Sequence, residues 1–502
     1  MNYKCTRNDN MNISAAQAIV QGISKDGGLF VPEQFPHYSY ADLCELQESN
    51  YVDRAAKILS DFLPEFTADE ISSCVSQAYA PEKFSGENPA PLVLLENGAL
   101  KMHMLELWHG PTCAFKDMAL QLLPHLLTKS LQKTNCEKTA LILVATSGDT
   151  GKAALEGFKD VAGTKILVFY PQDGVSPMQK RQMNTQEGEN VSVCAIEGNF
   201  DDAQTGVKRI FVNEEINKAL SENNMQFSSA NSINWGRLLP QIVYYFSAYC
   251  DLMAYGEIEH EGERVNIVVP TGNFGNILAA YYARKMGLPV NKLICASNSN
   301  NVLTEFLKTG VYDRNRPFFT TLSPSMDILV SSNLERLLYD ITGGNVEKVS
   351  GWMRELNTTG RYQVDRDVLN ALHDLFYSGC CNDTDTKTTI KEMEQDERYL
   401  CDTHTAVAIH VYHQYVTDTQ DGKTPAIVVS TASPYKFADS VLSAVSDDYD
   451  KSEDEFTKIS ELSALTGTSI PQPIADLQAK KVRFQNVCTA DKMGETVLKL
   501  IR

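Results

Sequence analysis

The sequence predicts an α/β fold with two parallel-sheet α/β domains covered by helices, plus an N-terminal domain that is mostly helical. From residue 92 onward, short apolar runs rich in β-branched residues alternate with helical stretches, which is typical of parallel sheets with helices on both faces. Before that point, apolar residues recur mainly at helical spacing. The 502 residues of the chain are enough for roughly two or three domains.

Helices dominate the predicted N-terminal domain, residues 1–92. They are expected at Ala15–Ile23, Tyr40–Glu48, Val52–Leu63 and Ala68–Tyr79. Turn-rich polar sequence at Ser85–Pro91 follows the last of them and favours a domain boundary there.

The parallel strands are predicted from apolar runs in the rest of the chain. These runs are Leu141–Ala145, Lys165–Tyr170, Val191–Ile196, Val265–Val269, Leu293–Ala296 and Ala426–Val429. A polar, helix-prone insertion at residues 346–400 interrupts the alternation. Within it, helices are expected at Glu347–Leu356 and Val368–Tyr377, and a loop at Gly379–Thr388.

Composition favours an intracellular protein that acts on a small molecule. A formal net charge of −19 opposes binding to nucleic acid or to an anionic membrane surface. The 12 cysteines form no CxxC pair and no cluster with histidine at metal-ligand spacing, so we expect reduced thiols and no metal site. Met1–Asn12 is polar, and no apolar run approaches the roughly 18 residues of a membrane span. The expected localisation is therefore cytoplasmic.

A turn with two glycines follows the predicted strand Val265–Val269. This turn, Pro270–Asn276, leads directly into the helical stretch Ile277–Met286. Backbone N–H groups in such a turn can face one point, and the helix N-terminus adds positive potential, so the segment predicts a phosphate site. Its spacing is neither that of a dinucleotide-binding loop nor that of a Walker loop. A glycine here can also serve only a tight bend.

Lys116 lies in the segment Trp108–Asp117, just before the helical run Met118–Leu127. A lysine must lose its proton to attack an aldehyde, and a helix N-terminus and apolar neighbours both disfavour the ammonium form. Lys116 is therefore a candidate nucleophile. The ordinary alternative is a lysine that extends from a helix start into solvent.

Polar residues also cluster after other predicted strands. Thr146–Gly151 offers hydroxyls and N–H groups to an anion, although such residues also serve as helix N-caps. Asn231–Arg237 includes a guanidinium suited to bidentate phosphate binding, although a loop arginine more often forms a surface ion pair. Ser430–Phe437 follows the last strand, at the end where open α/β sheets bind ligands.

Taken together and in order, these motifs resemble the threonine synthases, in the long form found in bacteria and fungi. The family belongs to the tryptophan-synthase-β-like, fold type II pyridoxal-phosphate enzymes. The matching motifs are Asp26–Pro32, His109–Asp117, Ala145–Gly151, Asn231–Arg237, Pro270–Asn276 and Asp402–Ala406. The resemblance implies a large cofactor-binding domain over residues 93–117 and 223–502, and a small α/β domain over residues 118–222.

The resemblance also implies the cofactor pyridoxal 5'-phosphate, with Lys116 as the catalytic, Schiff-base lysine. Thr431 would face the pyridine nitrogen, and Asp149 would lie near the phenolic oxygen and share a proton with it. The cofactor phosphate would be bound through the backbone N–H groups of Gly272, Asn273, Phe274, Gly275 and Asn276.

The implied substrate is O-phospho-L-homoserine. A carbon–oxygen lyase of this family eliminates phosphate from the γ-carbon and adds water at the β-carbon, giving L-threonine and phosphate in the last step of threonine biosynthesis. The candidate substrate-binding residues are Thr146, Ser147, Thr150, Asn231, Ser232 and Arg237. The protein would act as a monomer or homodimer.

Departures from the family pattern and competing functions remain to be tested. Asn276 stands where an acidic residue is expected, and Ser433 where the family commonly has histidine.

One alternative function is that of a phospho-lyase of the same family, which releases a 2-oxo acid and ammonia. Another is a protein that binds pyridoxal phosphate without turnover. A nucleotide-binding module is disfavoured because the chain has no dinucleotide fingerprint.

Overall fold

The computed structural model describes residues 1–95, 100–146, 148–173 and 175–501, and it confirms the α/β fold. Its strands are β1 (Asn2–Cys5), β2 (Asn8–Ser14), β3 (Phe30–Pro32), β4 (Leu92–Leu95), β5 (Met102–Glu106), β6 (Thr139–Ala145), β7 (Thr164–Pro171), β8 (Val191–Glu197), β9 (Met225–Ser228), β10 (Val265–Pro270), β11 (Val290–Ser297), β12 (Val311–Asp313), β13 (Arg361–Gln363), β14 (Phe376–Cys380), β15 (Ala426–Ser430) and β16 (Val487–Thr489).

The α-helices cover both parallel sheets and the N-terminal region. They are α1 (Ala15–Gln21), α2 (Tyr40–Gln47), α3 (Tyr51–Phe62), α4 (Ala68–Ala78), α5 (Asp117–Leu120), α6 (Leu123–Lys133), α7 (Asp149–Phe158), α8 (Pro177–Asn184), α9 (Phe200–Phe211), α10 (Glu214–Glu222), α11 (Trp235–Leu238), α12 (Pro240–Ala254), α13 (Gly275–Lys285), α14 (Val302–Thr309), α15 (Leu334–Ile341), α16 (Val346–Thr359), α17 (Arg366–Leu375), α18 (Asp383–Asp396), α19 (Thr403–Thr419), α20 (Ala438–Val445), α21 (Glu455–Thr466), α22 (Gln472–Ala475) and α23 (Met493–Ile501). Short 3-10 helices lie at Pro324–Met326, Pro434–Phe437, Asp476–Gln478 and Ala490–Lys492.

A six-stranded sheet in the order β14-β11-β10-β15-β5-β4 forms the centre of the molecule. All its neighbours pair in parallel except β4 and β5. The central strands β10 and β15 are buried along their length, which explains their unbroken apolar sequences. The parallel strands β5, β10 and β15 therefore end side by side, where open α/β sheets bind their ligands.

A second parallel sheet has the strand order β16-β8-β7-β6-β9. Strands β6, β7 and β8 confirm the predicted runs. Strands β9 and β16 lie outside residues 118–222, the segment expected to form the small domain; β16 pairs with β8 so that Val487 lies opposite Ala195. The division of the chain into domains stays a prediction, but this sheet includes strands from outside residues 118–222.

The N-terminal region contains the predicted helices α1–α4 and, in addition, an antiparallel sheet in the order β2-β1-β3. This sheet was not predicted because β1 and β2 are rich in asparagine and other polar residues. Strand β1 is anchored by Tyr3, which is fully buried and packs its ring 5.4 Å from that of Trp235.

The insertion at residues 346–400 departs from prediction at its C-terminal half. The helix expected at Val368–Tyr377 ends at Leu375, because Phe376–Cys380 pairs with β11 at the edge of the central sheet. The loop expected at Gly379–Thr388 is wrong. Helix α18 begins at Asp383, where the side chain of Asn382 accepts a hydrogen bond from the Asp385 N–H.

Helix α12 packs against the N-terminal helices α2 and α3 and against α13, which in turn contacts β10 and β11 of the central sheet. It is buried from Pro240 to Met253. Arg54 of α3 reaches it through a buried ion pair, with Nη1 lying 2.7 Å from Asp251 Oδ1 and donating to Ser247 Oγ at 2.8 Å. Its Nε also donates to the Leu46 carbonyl at 2.8 Å, so the guanidinium fixes α2, α3 and α12 together. No helix in the described part of the chain is long and apolar enough to span a bilayer.

Arg54→Met is expected to lower the free energy of unfolding by about 3 kcal/mol, because it leaves Asp251 buried without its counter-charge. Urea denaturation followed by circular dichroism measures the loss. The matched control is Lys57→Met on the same helix, which breaks an ion pair with Asp61 in which the lysine side chain is 59% exposed. That variant should lose less than about 0.5 kcal/mol, and equal losses in the two variants would contradict the prediction.

Candidate active site

Lys116 lies at the end of the loop that follows β5, immediately before α5. The loop is fixed by Asp117, whose carboxylate accepts hydrogen bonds from Thr112 N–H at 2.8 Å and Thr112 Oγ1 at 2.7 Å. Burial nevertheless raises the pKa of Asp117 to about 6. The Phe115 N–H donates to the Thr431 carbonyl at 2.8 Å, which holds Lys116 against the end of β15.

The Lys116 amine is almost enclosed, with 8% of the residue exposed. Its Nζ lies 3.4 Å from Asp149 Oδ2 and 3.3 Å from Ser325 Oγ. Burial lowers the pKa of Lys116 below its ordinary value; Asp149 acts in the opposite direction, and the charges of Lys436 and Arg237 reinforce the effect of burial. The amine is therefore more readily deprotonated than an exposed lysine, as a nucleophile requires.

Asp149 is the first residue of α7 and lies between two lysines. Its Oδ1 is 2.7 Å from Lys436 Nζ and accepts a hydrogen bond from Gln179 Nε2 at 3.0 Å. Its Oδ2 faces Lys116 and accepts from Ser325 Oγ at 3.3 Å. Burial acts to raise the pKa of Asp149, but the charges of Lys436 and Lys116 hold it well below its usual range. The carboxylate is an anion at neutral pH.

The predicted phosphate turn lies at the end of β10. Phe274 has a φ of 62° and Gly275 begins α13, so the chain reverses direction at the helix N-terminus. A Cβ at Gly272 would come within 2.7 Å of the Ser325 carbonyl oxygen, which explains the glycine at that position. Within the described residues, no hydrogen bond uses the backbone N–H groups of Gly272, Asn273, Phe274, Gly275 and Asn276. The turn thus offers free donors to an anion.

Carbonyl groups of this turn are held by the segment before α15. Ser331 Oγ donates to the Gly272 carbonyl at 2.7 Å, and the Asn333 N–H donates to the Asn273 carbonyl at 3.1 Å. Asn333 Nδ2 also donates to Ser232 Oγ at 3.1 Å. The predicted substrate residue Ser232 therefore lies beside the turn.

Arg237 is the best anion-binding candidate among the predicted substrate residues. Only 5% of it is exposed, and its Nη1 donates to the Ala230 carbonyl at 2.8 Å. No carboxylate in the described part of the chain forms a salt bridge with Arg237. Burial lowers its pKa to about 10, and its charge acts on Lys116. A buried guanidinium without a counter-charge favours an anionic ligand.

The remaining substrate candidates are less directly placed. Thr146 Oγ1 accepts hydrogen bonds from the N–H groups of Gly148 at 3.0 Å and Gly151 at 2.9 Å, so this oxygen shapes the turn before α7. Thr150 is half-buried and Asn231 is exposed. Ser147 lies outside the described residues.

Thr431 and the positions that depart from the family pattern are buried. Thr431, at the end of β15, donates its N–H to Thr405 Oγ1 at 3.3 Å. The Asn276 Oδ1 accepts hydrogen bonds from the hydroxyls of Tyr244 and Tyr245, at 2.5 and 2.6 Å. Ser433 Oγ accepts from the Tyr435 N–H at 3.3 Å, at the start of the following 3-10 helix.

Sequence reasoning assigned no role to Lys436, Ser325 or His404. Lys436 lies within the segment Ser430–Phe437 after the last predicted strand, and this position is the only sequence signal for it. The His404 Nε2 accepts a hydrogen bond from the Ser325 N–H at 3.1 Å, while its Nδ1 lies 2.7 Å from Asp402 Oδ2. This pair places Ser325 against Lys116, and only the fold brings the residues together.

Family models and known relatives match the chain along most of its length. The models describe the threonine synthase N terminus (residues 2–79), a pyridoxal-phosphate-dependent enzyme (residues 84–365) and the threonine synthase C-terminal region (residues 405–497). Threonine synthase-like 1 of Homo sapiens is 38% identical over 95% of this chain, which spans 64% of the length of that protein.

Full-length similarity extends to microbial threonine synthases. Threonine synthase of Saccharomyces cerevisiae is 37% identical, with 88% of this chain and 89% of the yeast protein covered. The crystal structure of PLP-bound threonine synthase from Brucella melitensis matches with a TM-score of 0.87 and 35% identity, covering 100% of both chains. The chain therefore belongs to the threonine synthase family of pyridoxal-phosphate-dependent enzymes.

Proposed function

We propose that the protein is a threonine synthase, which converts O-phospho-L-homoserine and water into L-threonine and phosphate. The observation that carries the proposal is a buried lysine, Lys116, that contacts Ser325 beside one anion-binding group and is acted on by the charge of another. One is the turn Gly272–Asn276, whose backbone N–H groups make no hydrogen bond within the described residues, and the other is the guanidinium of Arg237, which forms no ion pair in that same part of the chain. A reaction that uses a phosphorylated cofactor and a phosphorylated substrate needs two such sites.

The residues present fit pyridoxal phosphate. The N–H groups of the turn are free to hold its phosphate, and the Lys116 amine is buried and readily deprotonated, as bonding to an aldehyde requires. Thr431 is the proposed neutral partner of the ring nitrogen. When bound, the cofactor supplies an electron sink that stabilises negative charge on substrate carbon atoms.

Lys116 is the proposed acid and base of the reaction. Its Nζ would take the proton from the substrate α-carbon and would then assist proton transfer at the β-carbon. Phosphate would leave from the γ-carbon, water would add at the β-carbon, and the α- and γ-carbons would each gain a proton. The low exposure of Lys116 limits the access of bulk water to these steps.

Arg237 is the proposed main contact of the substrate phosphate, because a guanidinium can donate two parallel hydrogen bonds to it. Ser232 lies beside the cofactor turn and can add a hydroxyl. A role in substrate binding stays a prediction for the other candidates, Asn231, Thr146, Thr150 and Ser147. The proton shared between Asp149 and the phenolic oxygen of the cofactor also stays a prediction. Lys436 supplies a counter-charge to Asp149 that the sequence analysis did not include.

We also propose that the protein is cytoplasmic and acts as a monomer or homodimer. The described cysteines are all free thiols, which supports a reducing compartment. The net charge of −19 supports a protein that binds neither nucleic acid nor an anionic membrane surface.

Purified protein loaded with pyridoxal phosphate is expected to release equal amounts of phosphate and L-threonine from O-phospho-L-homoserine. Lys116→Ala should lower the rate at least about 1,000-fold, because the cofactor linkage and the base are both lost. Lys218→Ala, at a lysine whose side chain is 76% exposed, is the control and should retain activity. Phosphate with 2-oxobutyrate and ammonia would instead indicate a phospho-lyase, and the absence of all products would indicate a binding protein.

Arg237→Gln should raise the KM for O-phospho-L-homoserine roughly 10- to 100-fold, because one charge-assisted contact to phosphate is lost. Steady-state kinetics give the KM, and the absorbance spectrum of bound cofactor reports that the cofactor site is intact. Arg264→Gln removes an exposed arginine and should leave the KM unchanged. An unaltered KM in Arg237→Gln with normal cofactor absorbance would exclude Arg237 from the substrate phosphate site.

A further inference from the structure

Lys436 is a second buried lysine that the proposed reaction does not use. It lies on the 3-10 helix Pro434–Phe437 after β15 and is 0% exposed. Its Nζ is 2.7 Å from Asp149 Oδ1 and donates to the Thr112 carbonyl at 2.9 Å. Thr112 lies in the loop that carries Lys116, and Asp149 is the first residue of α7.

The contacts of the two lysines assign them different tasks. Lys436 is held by two short contacts and has no exposed surface, so its amine is poorly placed to reach a ligand. Lys116 makes only long contacts, at 3.3 Å to Ser325 and 3.4 Å to Asp149, and retains some exposure. Lys116 is therefore the amine that a ligand can reach, whereas Lys436 is held by its contacts with Asp149 and Thr112.

Asp149 links the two lysines through its separate oxygens. Oδ1 is occupied by Lys436 and Gln179, and Oδ2 faces Lys116 and Ser325. We propose that Lys436 is a positioning residue that holds Asp149 beside Lys116 and, by its charge, keeps Lys116 in the uncharged, nucleophilic form. In this arrangement Asp149 keeps an ion-pair partner when Lys116 loses its proton.

The charges around the two sites support this division. The charged groups that act on Lys116 are Asp149, Lys436 and Arg237, while Ser325 is a neutral contact. If Lys116 were the only cation beside Asp149, each buried charge would depend on the other, and loss of the Lys116 proton would leave an unpaired carboxylate. With Lys436 in place, Lys116 can lose its proton while Asp149 keeps a partner.

A purely structural role for Lys436 makes a different prediction. The contact with the Thr112 carbonyl could simply hold the loop before Lys116. In that case, removing the Lys436 charge would change stability but would leave the protonation of Lys116 as it is. The protonation of Lys116 is therefore the quantity to measure.

The experiment follows the acetylation of Lys116 by acetic anhydride as a function of pH, read by peptide mass spectrometry, in the full-length protein after removal of the cofactor. In the wild type, half-maximal labelling is expected at a lower pH than for the exposed Lys218. In Lys436→Met, the midpoint for Lys116 should rise by about one pH unit, because a repelling charge is lost and Asp149 pairs with Lys116 alone. An unchanged midpoint in folded Lys436→Met would overturn the proposal.

A second comparison serves if Lys436→Met unfolds because Asp149 is left without its partner. Asp149→Asn should lower the midpoint for Lys116, and adding Lys436→Met to that variant should raise it again. In this background no unpaired buried carboxylate remains, so the effect of the Lys436 charge is isolated. Equal midpoints in the single and double variants would also overturn the proposal. The measurement uses no substrate, so its outcome is independent of whether the protein makes threonine.

Discussion

The charged side chains that act on the buried amine of Lys116 are two cations, Lys436 and Arg237, and one carboxylate, Asp149, and the rest of the site depends on this arrangement. Lys436 and Arg237 are almost fully buried, and Asp149 is the one carboxylate in the described residues that forms an ion pair with Lys116 or Lys436. A buried cation without a counter-charge costs free energy, so a site of this kind favours the binding of anions. The net charge of the whole chain is −19, so the positive charge at the site is opposite in sign to that of the protein. Negative ligands are selected by the pocket, against the field of the whole protein.

The scaffold keeps these charges apart at fixed distances. The loop of Lys116 is joined to the end of β15 through Thr431, and the turn after β10 is held by Ser331 and Asn333. Ser325 is held in turn by His404, and its carbonyl packs against Gly272. These contacts join segments that are distant in sequence, so the site exists only when both parallel sheets and the loops between them are folded.

Local sequence signals predicted the N-terminal helices, the central strands of both parallel sheets and the two centres of the site. Lys116 and the turn at 272–276 could be found because each combines a strand end, a helix start and a characteristic side chain or glycine. Lys436 and Ser325 could not be found in this way, because their importance comes from contacts with residues that are distant in the sequence. Ser325 and Lys116, for example, are 209 positions apart. Helix α18 was missed for another reason: its buried face includes Thr386 and Thr389, so the apolar period is hidden.

The same charge constraint explains why Asn276 suits its position, although an acidic residue was expected there. Its Oδ1 accepts hydrogen bonds from Tyr244 and Tyr245, which need an acceptor because they are fully buried. A carboxylate could accept the same bonds, but it would place a negative charge in the first turn of α13, next to N–H groups that are proposed to hold a phosphate. The neutral amide satisfies both tyrosines and leaves the positive potential of the helix N-terminus to the ligand.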